Sequence, residues 1–189
     1  PNGQDTLVAT LVPKEYPVYL DLGEAKNANV QGMEDFLVDD GTDNTYAYLH
    51  TWSHASTFEA YPYWDGHVFL GWEETADTIN DKELVVDDGV VNVGATLAKP
   101  VTLTAKWAEL TGTNYTVRHL ELNTDKVLHG AQAVQADVAE GSRVVAADAA
   151  LSIPGYVYAG AKINGEYIHK ANNPALTITN NPLNNLLVI

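Results

Sequence analysis

The sequence predicts an α+β, strand-rich fold divided into two tandem domains. Three observations carry that expectation. Most local signals are of strand type, with apolar and polar positions alternating. A glycine-framed apolar motif occurs twice, its leading glycines, Gly66 and Gly155, 89 positions apart. Charge also divides along the chain. Residues 1–110 hold nineteen acidic and five basic side chains, a net −14, whereas residues 111–189 hold six and five, a net −1.

The repeat is the most informative of the three. Asp65 to Gly71 (DGHVFLG) lines up with Pro154 to Gly160 (PGYVYAG). Upstream, Tyr16 to Leu22 (YPVYLDL) resembles Tyr115 to Leu122 (YTVRHLEL). Downstream, Pro100 to Ala105 and Pro182 to Val188 each place a proline before a short apolar strand. Each half is therefore expected to carry an early, a glycine-framed central and a late strand. Between the halves, Ala108 to Asn114 (AELTGTN) is small and polar with one glycine, as a linker should be. The expected domains are 1–110 and 111–189.

Taken in order, Tyr46, Tyr48, His50 and Trp52 alternate and share one strand face. Ser56 to Glu59 fits a helix capping box. In the second half, Val117 and His119 face one way, and Arg118, Leu120 and Leu122 the other. Lys126 to Val138 is a second extended stretch, interrupted by Gly130. Asp148 stands as N-cap of a short helix that Pro154 stops. Asn164-Gly165 is a type I′ turn joining Val157–Ile163 to Glu166–His169. Each half is thus expected to be a sheet with one short helix across it.

Composition excludes several function classes. With 189 residues and no cysteine, the chain has no disulfide framework, thiolate metal site or cysteine nucleophile. A net charge of −15 argues against nucleic acid and anionic membrane partners, which draw on lysine and arginine. No apolar run approaches the roughly 20 residues of a membrane helix. The chain opens on Pro1, which predicts an excised or processed piece of a soluble, acidic protein.

Gly66 to Trp72 (GHVFLGW) resembles the glycine–aromatic–x–Phe–x–Gly–Trp signature of the Listeria–Bacteroides, internalin-type B repeat. Thr102 to Trp107 (TLTAKW) is similar to its closing motif, and Val18 to Gly23 to its opening strand. Here residues 24–63 form an insertion where that family has a compact turn. Tyr115 to Leu120 and the Ile153-Pro154-Gly155-Tyr156 step resemble mucin-binding-protein (MucBP-type) domains. These resemblances imply two tandem β-grasp-like modules, each a mixed sheet with one short helix, in a secreted, wall-attached bacterial surface protein. They further imply contact with host mucin glycans or an extracellular host protein, and neighbouring domains in a larger chain.

Candidate chemistry is sparse. Trp72 and Trp107 are expected to pack against one another in the core rather than stack on a sugar. The ligand-binding candidates are Tyr46, Tyr48, Trp52, Tyr61, Tyr63 and Trp64, whose rings suit apolar sugar faces while Asp65 or Asp43 takes hydroxyls. The alternative is that they form a mini-core for the insertion. Asp39, Asp40 and Asp43 around Gly41 are calcium candidates, although the spaced EF-hand pattern is missing and a plain turn is the default. His50 and His54 suit a transition metal only on a helix, and no third ligand recurs nearby. None of the four serines, Ser53, Ser56, Ser142 and Ser152, sits in a nucleophile elbow, and His119, Ser142 and Asp148 form a triple only on paper. No phosphate loop is present and no cofactor is expected. Lys106 and Lys162 are the strand lysines that an isopeptide crosslink would need buried beside an Asn or Asp and an acid. The expectation is a non-catalytic stalk or adhesion module. Its alternatives are a dedicated glycan-binding module using the aromatic insertion, or a calcium-stiffened spacer.

Overall fold

The computed structural model describes residues 9–39, 44–75, 83–87, 89–134 and 138–189. In the first half the strands are β1 (Glu15–Asp21), β2 (Val30–Gln31), β3 (Leu37–Asp39), β4 (Asn44–Thr51) and β5 (Ser56–Glu59). They continue as β6 (Tyr63–Trp64), β7 (His67–Glu74), β8 (Leu84–Asp87), β9 (Val90–Val93) and β10 (Val101–Glu109). The second half holds β11 (Tyr115–Leu120), β12 (Val127–Val134), β13 (Arg143–Val145), a four-residue helix α1 (Ala146–Ala149), β14 (Gly160–Ile163), β15 (Glu166–His169), β16 (Ala175–Thr177) and β17 (Leu186–Val188). The protein is strand-rich with several mixed sheets, in keeping with the α+β class. Among the described residues no helix is long and apolar enough to cross a membrane.

Two five-stranded sheets organise the halves, in the orders β3-β4-β1-β10-β7 and β12-β11-β17-β14-β15. In each, the first and last strands are central neighbours and parallel. Val18 to Asp21 of β1 run beside Val101 to Thr104 of β10, and Thr116 to Arg118 of β11 beside Leu186 to Val188 of β17. Antiparallel partners flank both pairs: β4 and β7 in one sheet, β12 and β14 in the other. The early and late strands legible in the repeat are these central pairs.

Alternation sets the cores. Val18 and Leu20 point inward from β1, with Leu22 buried just past its end, and Val101, Leu103 and Ala105 point inward from β10. A separate cluster gathers Val117, Ala146, Ala161, Leu176, Ile178 and Leu187. Pro17 is tolerated in β1 because the β10 pairing starts only at Val18, so its missing N–H breaks no bond on that side. The register of β7 against β10 slips between Lys106 and Trp107, opposite Gly71 with φ of 110°. That glycine supplies the positive φ the bulge needs.

Trp72 lies in the core and Trp107 packs against it, but the two do not meet each other as expected. Phe69 stands between them, 5.3 Å from Trp72 and 5.6 Å from Trp107, ring to ring. Each indole N–H is used on a backbone carbonyl: Trp72 donates to Ala60 at 2.8 Å and Trp107 to Leu22 at 2.9 Å.

Four local expectations need correction. Ser56 to Glu59 is strand β5, paired with β9, and no helix starts there. Phe58 stacks on Tyr48 at 4.3 Å, and the Ser56 hydroxyl meets His50 Nδ1 at 3.2 Å, so that hydroxyl is not left for a cap. Among the described residues the first half holds only single 3-10 turns, at Gly23–Ala25 and Glu34–Phe36. In the second half α1 begins after Val145, without a side-chain cap, so Asp148 lies inside the helix rather than at its start. The central strand there begins at the second glycine, Gly160, not at Val157, although Gly66 and Gly155 share positive φ of 75° and 85°. The linker is also shorter than expected: Ala108 and Glu109 belong to β10, and the chain turns at Thr111 to Asn114.

The Asn164-Gly165 turn is as expected, with φ of 52° and 80° joining β14 to β15. A Cβ on Gly165 would meet nothing within 4 Å, so its cost is purely conformational. Gly165→Ala is therefore expected to lower stability by about 1–2 kcal/mol, read from urea unfolding.

Candidate functional site

The aromatic candidates separate into three environments. Tyr46 and Tyr48 do share a face of β4 with His50, and that face packs on the first-half core. Trp52 lies beyond the strand end and is 47% exposed. Tyr61, Tyr63 and Trp64 turn toward the second half or the adjoining core, so the six rings form no single platform. Trp64 stacks flat on His67 at 3.4 Å and sets its edge against Trp107 at 5.6 Å.

Tyr61 and Tyr63 build the seam between the halves. Arg118, on the central strand β11, is only 8% exposed. Its guanidinium lies 4.0 Å from the centre of the Tyr63 ring, and its Nη1 donates to Gln31 Oε1 at 3.0 Å. Tyr63 in turn donates its hydroxyl to Asp65 at 3.1 Å. Burial pushes the Tyr63 phenol well above its ordinary range, helped by Asp65. Burial pulls the Arg118 guanidinium down, while Tyr63, Glu34, Asp125 and Asp65 oppose that shift. The cation is thus held by a ring, an amide and the surrounding acidic field, with no direct carboxylate pair among the described residues.

Beside this clasp, Tyr61 stacks on His129 at 5.7 Å with the rings 20° apart. Its Cδ1–Cε1 edge fills the space that a Cβ on Gly89 or on Gly130 would take, both closer than 2.5 Å. Gly130 therefore does not interrupt β12. It lets the ring of the other half approach the backbone. A third contact sets Leu183 against Gly66, whose carbonyl accepts from the Leu110 N–H at 2.8 Å. Sequence alternation placed Arg118 opposite Val117 and His119, but gave no sign that a second body covers the Arg118 face.

A groove of about 540 Å³ opens along the seam. Glu34, Asp35, Glu59 and Asp125 line it together with Lys126 and Arg118, so its charge is negative on balance. Among the described residues no three His, Asp or Glu side chains gather as a metal cage. Asp40 and Asp43 lie outside the described residues, as does the side chain of Asp39. His50 is a buried strand residue, while His54 is exposed beside the Trp52 carbonyl. His119 accepts from the Leu151 N–H at 3.1 Å through Nε2 and is bonded to neither Ser142 nor Asp148. Lys106 pairs with Glu73, and Lys162 with Asp125, both at the surface. Neither lysine has the burial that isopeptide chemistry requires.

The buried histidines give a pH dependence. Burial lowers the His50 pKa, with His54 adding to it. Burial also lowers that of His119, partly opposed by the Ala149 carbonyl and reinforced by His129. Unfolded, both titrate near 6.5. Below that pH the unfolded chain binds more protons than the folded one, so the stability present above it falls as pH drops. Urea midpoints are expected to decline from about pH 7 to about pH 5, and to decline less in His119→Gln.

No protein-family profile, no curated protein and no solved structure matches the chain.

Proposed function

We propose that the chain is a non-catalytic extracellular module of a bacterial cell-surface protein, a stalk or adhesion segment within a longer, wall-attached chain. Residues 1–110 and 111–189 are taken as tandem β-grasp-like domains, the first carrying an insertion over 24–63. The parallel pairing of first and last strands in each half supports this reading most directly. Tension through the ends of a half pulls these neighbours lengthwise in opposite directions. Their ladder of hydrogen bonds is then loaded together instead of being peeled one bond at a time.

The Arg118 clasp adds to that support, because it ties the halves beyond a short turn. The strong negative charge of the first half keeps such a unit solvated and away from nucleic acid. Contact with host mucin glycans or an extracellular host protein is the adhesive side of the proposal. A dedicated sugar platform on the aromatic insertion is the second reading, favoured only by exposed Trp52.

Single-molecule pulling tests the mechanical role. The chain has no cysteine, so Glu15→Cys with Pro100→Cys gives unique handles at the starts of β1 and β10. Pulling through the chain ends is expected to need several-fold more force than pulling through those handles, which unzips the pair. Equal forces would remove the basis for a stalk.

A further inference from the structure

A second cavity, of about 310 Å³, opens in the second half between the end of β11, the end of β17 and the start of β14. In the first half the corresponding place is filled. There β10 continues past its pairing with β1, and Trp107, Ala108 and Glu109 pair with Phe69, Val68 and His67 of β7. By the glycine-framed repeat, those β7 residues match Tyr158, Val157 and Tyr156. Among the described residues these three pair with no strand: the β14 ladders start at Gly160, and β17 reaches only Lys162 and Ile163. Exposure follows from that. Val68 is partly covered, whereas Val157 is 88% exposed. Leu120, Leu122, Ile153 and Val188 line the open slot, so a strand added there meets apolar surface as well as unpaired backbone.

A second version of the β10 motif stands near the start of the sequence. Thr6 to Leu11 (TLVATL) matches Thr102 to Trp107 (TLTAKW) at threonine, leucine and alanine, and sets Leu11 where β10 has Trp107. Ala9 to Val12 belong to no strand. Leu11 is 89% and Val12 83% exposed, and with Val157 they are the three most exposed large apolar side chains described. No charged residue lies between Thr6 and Pro13, so the segment brings no like charge to the Glu121 and Asp125 carboxylates at the rim of the slot. We propose that this arm of one copy adds as a strand beside Tyr156 to Tyr158 of a second copy, with Leu11 entering the cavity. Arm and slot are different surfaces, so the contact is head-to-tail and propagates from copy to copy. The inference is independent of the stalk reading.

Sedimentation velocity on the full chain and two variants tests this. Leu11→Asp spoils the arm and Val157→Asp the slot. Both side chains are exposed, so neither substitution disturbs the folded copy. The wild type is expected to self-associate increasingly with concentration, and each variant to do so about tenfold more weakly. Mixed in equal amounts, the two variants should form a dimer and nothing larger, because one sound arm meets one sound slot. A synthetic peptide of residues 4–13 should break up the wild-type assembly and shift the amides of Tyr156 to Ala159. A wild type that stays monomeric up to about 1 mM, a variant that associates as the wild type does, a variant mixture no larger than either alone, or a peptide without effect would each overturn the inference.

Discussion

Arg118→Ala is expected to uncouple the two halves. The substitution removes a charged hydrogen bond to Gln31 and a desolvated cation from the face of Tyr63. Together these are worth about 3 kcal/mol, and the first half then loses its cover over Tyr63. Followed in urea, Tyr and Trp fluorescence and backbone circular dichroism should coincide in the wild type and separate in the variant. Arg118→Lys should recover little, because an ammonium lacks the planar fork that lies on the ring while donating to the amide. A change below about 0.5 kcal/mol would mean that the clasp does not couple the halves.

Gly130→Ala is the second large effect. The new Cβ would lie closer than 2.5 Å to the Tyr61 ring, and the tight partner is an aromatic edge rather than a flexible tip. The ring must leave His129 or β12 must shift, at about 1–3 kcal/mol. In a Tyr61→Ala background the same substitution should be nearly neutral, because nothing is left to collide with. A double-mutant cycle reads that coupling directly, and about 1 kcal/mol or more is expected. Additive effects would show that Tyr61 does not occupy the glycine slot.

Much of the fold was legible because strands announce themselves by alternation. Val18, Leu20, Val101 and Leu103 repeat with period two and became the central pair of the first sheet. The Asn164-Gly165 turn was legible because few residue pairs accept positive φ twice. Ser56 to Glu59 misled because a capping box and a short strand can share the same four residues. Pairing with β9, more than thirty positions away, decided between them. Arg118 was invisible as a joint for a related reason. One face of a strand reads as polar whether water or a neighbouring domain covers it, and only the arrival of Tyr63 and Gln31 distinguishes the two.

The contacts of Arg118 with Tyr63 and Gln31 and of Tyr61 with His129 join the two halves, and rigidity across that seam is what the proposed stalk requires. Residual dipolar couplings measured for the amides of both five-stranded sheets test it most directly. A single alignment tensor should fit both sheets in the wild type, and Arg118→Ala should split it into two. Two different tensors in the wild-type protein would contradict a rigid tandem.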